Sequence, residues 1–175
     1  MINQQGISKK NILHREINYM GEIELLRLYK QGERDFVGVN LVGVNLADMN
    51  LSGINLSHAN LSEANLTQVN LKGANLHKVN LRKANLAQAN LSQVNLSDAN
   101  LVQANLIEAN LSGANLSQAN MTEVNLGFAN LVEANLSMVN LCNAFLVEAD
   151  LSDANLNFAV LHGAVMFIDK PVYTK

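Results

Sequence analysis

A five-residue period runs through most of the chain and restricts it to very few folds. Leucine, or in one repeat methionine, returns at every fifth position from Leu41 to Leu161, and Phe36 and Met166 continue the phase. Two positions before the repeated residue, from Val39 to Ala164, the side chain is always alanine, valine, isoleucine or methionine. The position in between is asparagine in every repeat from Asn40 to Asn140.

This period fits neither a continuous helix nor a continuous strand. An α-helix turns by about 500° over five residues, so the leucines would spiral round all of its faces. In a strand, an odd period places successive leucines on alternate faces. A mixed arrangement satisfies the pattern: Ala-Asn-Leu is extended, with alanine and leucine inward and asparagine outward, and the next two residues turn a corner. The sequence therefore predicts a polygonal coil stacked in parallel around a leucine column.

The composition of the two corner positions supports this interpretation. They are mostly polar, and serine, asparagine and glycine tolerate the backbone geometry of turns. The second corner position also carries five glycines of the repeat region: Gly43, Gly53, Gly73, Gly113 and Gly163.

The Ala-Asn-Leu-x-x motif, repeated over residues 36–168, resembles the pentapeptide-repeat family. That resemblance implies an all-β fold, a right-handed four-sided (quadrilateral) β-helix solenoid with four repeats in each coil. The residues alone leave the number of sides open. With four repeats per coil, the rod has about six and a half coils and is roughly 30 Å long.

The chain divides into four expected segments. Residues 1–20 are expected to form an arm that is partly disordered, and residues 21–35 a capping α-helix with its lead-in. Residues 36–168 form the repeat region, and residues 169–175 a tail.

The capping helix is predicted from the segment GEIELLRLYKQG, residues 21–32. Its acidic residues fall in the first turn, its basic residues near the end, and Gly32 just past it, as the helix dipole and a helix stop favour. Leu25, Leu26 and Tyr29 form an apolar face that would cover the leucine column. Short helices of this kind are similar to those that precede the repeats in some cyanobacterial members of the family.

The C-terminal end allows two interpretations. Apolar residues stand where polar ones are expected, at Val160 and Val165 and then at Met166, Phe167 and Ile168. Either the tail folds over the last coil, or Met166, Phe167 and Ile168 form the contact of an end-to-end homodimer.

A basic belt lies within one coil of the predicted rod. Residues 20 apart would stack, which places Glu63 under Lys83 and Asp98 over Lys78. The belt is either a solvated surface with compensating neighbours or a docking site for an acidic partner. Its residues are Lys72, His77, Lys78, Arg82 and Lys83.

Large apolar side chains also occupy corners of the later coils. Met138 would lie directly under Phe158, and Phe128 lies on another face. These residues either pack locally or form a contact patch for a partner.

Several classes of protein are disfavoured. The formal net charge of −3 gives no general attraction to nucleic acid, no long apolar segment predicts a membrane span, and a single cysteine excludes an internal disulfide framework. The start of the chain is a poor signal peptide, so a cytoplasmic protein is expected. His58 and His77 lack further ligands at metal spacing, and Cys142 lacks a basic neighbour, so we expect no cofactor, metal site or enzyme activity.

The remaining functions are an interaction scaffold and two alternatives. The first is a non-catalytic rod that binds an unknown protein, as a monomer or end-to-end homodimer, without direct nucleic-acid binding. The family resemblance implies a second possibility, a DNA mimic that binds a type II topoisomerase such as DNA gyrase. Here the outward position before each leucine is neutral asparagine and only Asp150 is charged, which disfavours mimicry. An ice-binding surface needs rows of threonine, and only Thr67 and Thr122 lie at corners.

Overall fold

The structure, a computed structural model, describes residues 21–166 and contains one helix, α1 (Glu22–Lys30), followed by a solenoid. The solenoid has isolated parallel bridges in place of longer strands, from Asp35↔Asn55 to Phe145↔Val165. Every bridge joins residues 20 apart, so each coil contains four pentapeptides. The expectations for residues 1–20, for Phe167 and Ile168, and for the tail fall outside the described residues.

The bridges form four columns along the solenoid, each with one bridging residue per coil. The first bridge column runs from Asn40 to Val160, the second from Asn45 to Val165, the third from Asn50 to Asp150, and the fourth from Asp35 to Asn155. A two-residue turn separates each column from the next along the chain.

Backbone hydrogen bonds hold the coils in register. The amide of Leu41 donates to the carbonyl of Asn60 (2.7 Å), and the amide of Asn60 donates to the carbonyl of Val39 (2.9 Å). A third bond, from the second turn residue to the first turn residue of the next coil, repeats in the same way. The buried backbone is thereby satisfied without long strands.

The interior is a continuous apolar column, as the period predicts. The leucines from Leu41 to Leu141, with Met121 among them, are at most 2% exposed. The alanine and valine positions from Val69 to Val139 line the rest of the interior and are similarly buried. Each buried leucine contributes about 1.5–3 kcal/mol, so the core is the main stabilising element.

The turns impose an unusual backbone conformation. The second turn residue has a positive φ at every repeat, and 20 of these residues are not glycine, with φ between 55° and 62°. A hydrogen bond from the residue after the turn back to the preceding leucine closes it, for example Ala59 to Leu56 (3.0 Å). A positive φ at this position is the mark of a type II turn. It explains why glycine recurs there.

Helix α1 covers the first coil. Leu25 and Leu28 are buried in the same core as the leucine column, and Leu26 and Tyr29 pack against it. The Tyr29 hydroxyl donates to the carbonyl oxygen of Ser52 (2.8 Å), and the Arg34 guanidinium lies 3.8 Å from the centroid of the Tyr29 ring. The helix is therefore fixed to the solenoid by both apolar and polar contacts.

The last coil is more open than the first. Leu151 and Leu156 are partly exposed and Leu161 is 38% exposed, unlike the leucines below them. The two ends of the described solenoid therefore differ in how much core they expose.

Because the leucine positions point into the solenoid, Leu96→Asp should unfold the rod. Leu96 is fully buried in the column, and the new carboxylate would have no partner there. We expect a loss of more than about 4 kcal/mol of unfolding free energy, because truncation of a buried leucine to alanine already costs about 2–5 kcal/mol and the buried carboxylate adds to that cost. Circular dichroism and thermal melting measure this. Gln118→Asp, at an exposed turn, is the matched control; a Leu96→Asp protein that melts like this control would refute the assignment.

If α1 caps the first coil, a substitution that detaches this helix should cause the protein to associate. Leu25→Asp should release α1 and expose the first coil, whose open parallel edge then associates with other molecules. Ile23→Asp is the control, since Ile23 lies on the same helix but is 79% exposed. Sedimentation should show larger species for Leu25→Asp only. An unchanged mass for both variants would contradict a capping role for α1.

Candidate interaction surface

The bridge-position asparagines form part of the framework, a role that the sequence did not predict. Asn95 Oδ1 accepts a hydrogen bond from the backbone amide of Ser97 (3.2 Å), and this local bond recurs in most repeats. The Asn95 amide group also donates to Asn75 Oδ1 one coil earlier (3.2 Å). Since a side-chain amide both donates and accepts, stacked asparagines can form a ladder.

Only the fourth bridge column forms this ladder along its whole length. It runs from Asn155 down to Asp35, whose carboxylate accepts from Asn55 (3.0 Å). Asp35, which precedes Phe36 and not a leucine, is thus a second charged bridge residue besides Asp150. Because most asparagines are engaged in this framework, the variable turns are left to determine what the surface binds.

The basic belt spans three successive turns of one coil. Lys72 precedes the fourth bridge column, His77 and Lys78 lie between the fourth and first columns, and Arg82 and Lys83 lie between the first and second. The lysines and Arg82 are exposed, whereas His77 is partly buried.

His77 is connected to the coil above it. Its Nδ1 lies 2.9 Å from Ser97 Oγ, 3.1 Å from the Ser97 carbonyl oxygen and 3.6 Å from the Asp98 carboxylate. Its ring packs edge to face against His58, with the centroids 5.6 Å apart. These contacts hold His77 in place, so its side chain is less available to a partner than those of the exposed belt residues.

The other cations of the basic belt do not form ion pairs with the carboxylates that were predicted to stack above and below them. Asp98 contacts His77 and not Lys78, and Glu63 forms no ion pair with Lys83. In the part of the chain that the structure describes, none of Lys72, Lys78, Arg82 or Lys83 has an ion-pair partner. Their charges are therefore available to an acidic partner.

An apolar patch lies at the other end of the solenoid. The asparagine position is replaced by Phe145, Val160 and Val165 in the last coils of the first and second bridge columns. The third and fourth columns keep Asp150 and Asn155 there. Each replacement removes a side-chain acceptor for the local amide, a bond worth about 1 kcal/mol.

Two turn residues extend the patch. Met138 and Phe158 occupy the same turn in successive coils, beside the first bridge column, and are 57% and 82% exposed. Single exposed apolar residues are ordinary, but several large ones within the last two described coils favour an interaction site. We define the C-terminal apolar patch as Met138, Phe145, Phe158, Val160 and Val165.

Phe128 does not belong to this patch. Its turn lies between the second and third bridge columns, ten residues or half a coil from the turn of Met138. Phe128 is also exposed, at 62%, but it faces the opposite side of the solenoid. Its neighbours one coil below and above are Glu108 and Glu148.

The coils around the patch are acidic. From residue 98 to residue 166 the sequence contains no lysine or arginine. The same stretch contains seven carboxylates: Asp98, Glu108, Glu123, Glu133, Glu148, Asp150 and Asp153. Four of them, Asp98, Glu108, Glu123 and Glu148, lie in turns that flank the first and second bridge columns, whereas Glu133, Asp150 and Asp153 lie on the other side of the solenoid.

Metal binding, thiol chemistry and membrane insertion have little support among residues 21–166. They contain no group of three histidines, cysteines or carboxylates placed to hold a metal ion. Cys142 is partly buried in a turn, where its backbone amide donates to Asn140 Oδ1 (3.0 Å). No helix in this range is long and apolar enough to cross a membrane.

Comparison with solved structures finds other proteins with these repeats. HetL, a pentapeptide repeat protein involved in heterocyst differentiation regulation in the cyanobacterium Nostoc sp. strain PCC 7120, is 26% identical over 84% of this chain and 97% of its own, with a TM-score of 0.34. Rfr23 from the cyanobacterium Cyanothece 51142 is 31% identical over 82% and 97%, with a TM-score of 0.37. QnrB1, a plasmid-mediated fluoroquinolone resistance protein, is 17% identical over 78% and 83%, with a TM-score of 0.36.

A search of curated proteins gives no significant match. The protein-family model for pentapeptide repeats, in contrast, matches the chain in overlapping segments: residues 35–73, 59–98, 74–111, 99–137 and 134–166. Because these matches run without a gap from residue 35 to residue 166, the chain belongs to the pentapeptide-repeat family.

Proposed function

We propose that this protein is a non-catalytic rod that binds a protein partner along its first bridge column. The observation that carries the proposal is that this column borders both the basic belt and the C-terminal apolar patch. Lys78 lies three coils below Met138 and four below Phe158, because stacked residues are 20 apart. At about 4.8 Å per coil, the two groups are roughly 14–19 Å apart, within the footprint of one partner domain.

The interior supports a scaffold more than an enzyme. Leucine, alanine and valine fill the column, so the inside of the solenoid offers no polar cavity in the described part of the chain. Polar and charged side chains lie on a convex surface, whereas small-molecule sites are concave. We therefore place the function in surface recognition.

The detailed form of the rod belongs to the same proposal. We infer a right-handed, four-sided coil, supported by the four equivalent bridges in each coil. The exposed core of the last coil is compatible with a tail that folds over it or with an end-to-end homodimer. The single cysteine fits a cytoplasmic location.

A DNA-mimicking role has weaker support. A mimic needs phosphate-like charges along its length, whereas the bridge positions carry carboxylates only at Asp35 and Asp150 within the described residues. The unpaired lysines of the belt would also repel a basic DNA-binding groove. The gyrase alternative therefore remains secondary.

Phe158→Gly tests whether Phe158 serves contact or packing. Its φ is 61°, where a non-glycine residue costs about 1–2 kcal/mol, while glycine loses about 0.4–1 kcal/mol through its more flexible unfolded chain. We expect the free energy of unfolding to stay constant or to rise by up to about 1 kcal/mol, as measured by denaturant titration. Gln118→Gly, in the same turn column, gives the reference. Destabilisation well beyond that reference would assign Phe158 to packing.

Capture of a partner tests the function itself. Immobilised wild-type protein and the double variant Met138→Ser, Phe158→Ser are compared in extract of the native host, with bound proteins identified by mass spectrometry. We expect a partner that the double variant loses. Phe128→Ser is the control, because it removes an exposed phenylalanine from the opposite side. Equal capture by all three proteins would refute the assignment of the patch.

A further inference from the structure

We propose that the C-terminal apolar patch is a docking site for the chain's own N-terminal segment, residues 1–20. The proposal uses the patch of the proposed function but names a different occupant. It starts from the cost of the patch. Three of the last five bridge positions lack a side-chain acceptor: Phe145, Val160 and Val165. Each of these repeats gives up a local hydrogen bond and places an apolar side chain at an outward position, which favours a surface used for contact.

The charge of the segment complements the surface around the patch. Residues 1–20 contain Lys9, Lys10 and Arg15 against one acid, Glu16. In the coils from residue 98 to residue 166, the turns that flank the first and second bridge columns carry Asp98, Glu108, Glu123 and Glu148 and no lysine or arginine. Opposite charges of this kind guide and orient a docking segment.

The segment also carries the apolar side chains that such a patch would bury. Its apolar residues lie on both sides of the basic ones: Ile2, Ile7, Ile12, Leu13, Ile17, Tyr19 and Met20. Burial of apolar area is the main favourable term in association. The segment therefore offers apolar side chains to the patch and basic side chains to the carboxylates near it.

The length of the segment is sufficient. Met138 lies five coils above Gly38, since stacked residues are 20 apart, and this corresponds to about 24 Å along the rod. Twenty residues can span up to roughly 66 Å when extended. The segment therefore reaches the patch from Gly21 within one molecule.

The single cysteine provides the test. Cys142 lies in the turn between the first and second bridge columns, at the level of the patch. A nitroxide attached to Cys142 of the full chain should broaden the amide NMR signals of residues 7–20. We expect the broadening to be lost in Met138→Ser, Phe158→Ser and retained in Phe128→Ser. It should also weaken in Lys9→Glu, Lys10→Glu and at high salt, since exposed charges are screened.

Two results would overturn the proposal: no broadening of residues 7–20 in the labelled wild-type chain, or equal broadening in the patch variant. A second copy on the patch would appear as a concentration-dependent mass in sedimentation with these signals sharp, which also overturns it. Mixing spin-labelled chains with isotope-labelled chains that carry no nitroxide separates docking within one molecule from docking between two. Docking without any captured partner refutes only the proposed function, whereas a captured partner without docking refutes only this inference.

Discussion

The whole solenoid depends on a turn that passes through a positive φ once in every five residues. This turn returns the chain to an extended segment with alanine and leucine inward, and it keeps stacked residues 20 apart. The conformation is costly for residues other than glycine, yet 20 such residues adopt it. The buried leucine column and the bonds between coils offset this cost, so local strain and long-range packing are coupled in every repeat.

The sequence predicted the core well because burial follows directly from the period. Inward and outward positions are fixed by strand alternation, and neither depends on side-chain conformation. The helix was equally accessible, since its charges and Gly32 mark its ends, although the sequence named Leu26 and missed the deeper burial of Leu28.

The surface was harder to predict, because stacking places residues near each other without deciding which atoms meet. Asp98 stacks over Lys78, but its carboxylate lies 3.6 Å from His77 Nδ1 instead. The asparagine ladder was missed for a similar reason. A repeated asparagine suggests tolerance of turns, and only the structure shows that its amide also bridges coils. The patch was not recognised because the end of the asparagine rule near the C-terminus was interpreted as loss of regularity, whereas Phe145, Val160 and Val165 place apolar side chains at outward positions.

The ladder on the fourth bridge column has a direction, because each amide donates toward the start of the chain and Asp35 receives the last bond. A carboxylate has no proton with which to continue the series. A coil inserted anywhere above Asp35 would extend the ladder, but a coil added below it would break the series. Duplication of 20-residue units during evolution could therefore lengthen this rod in its middle or at its C-terminal end while its starting coil stays fixed.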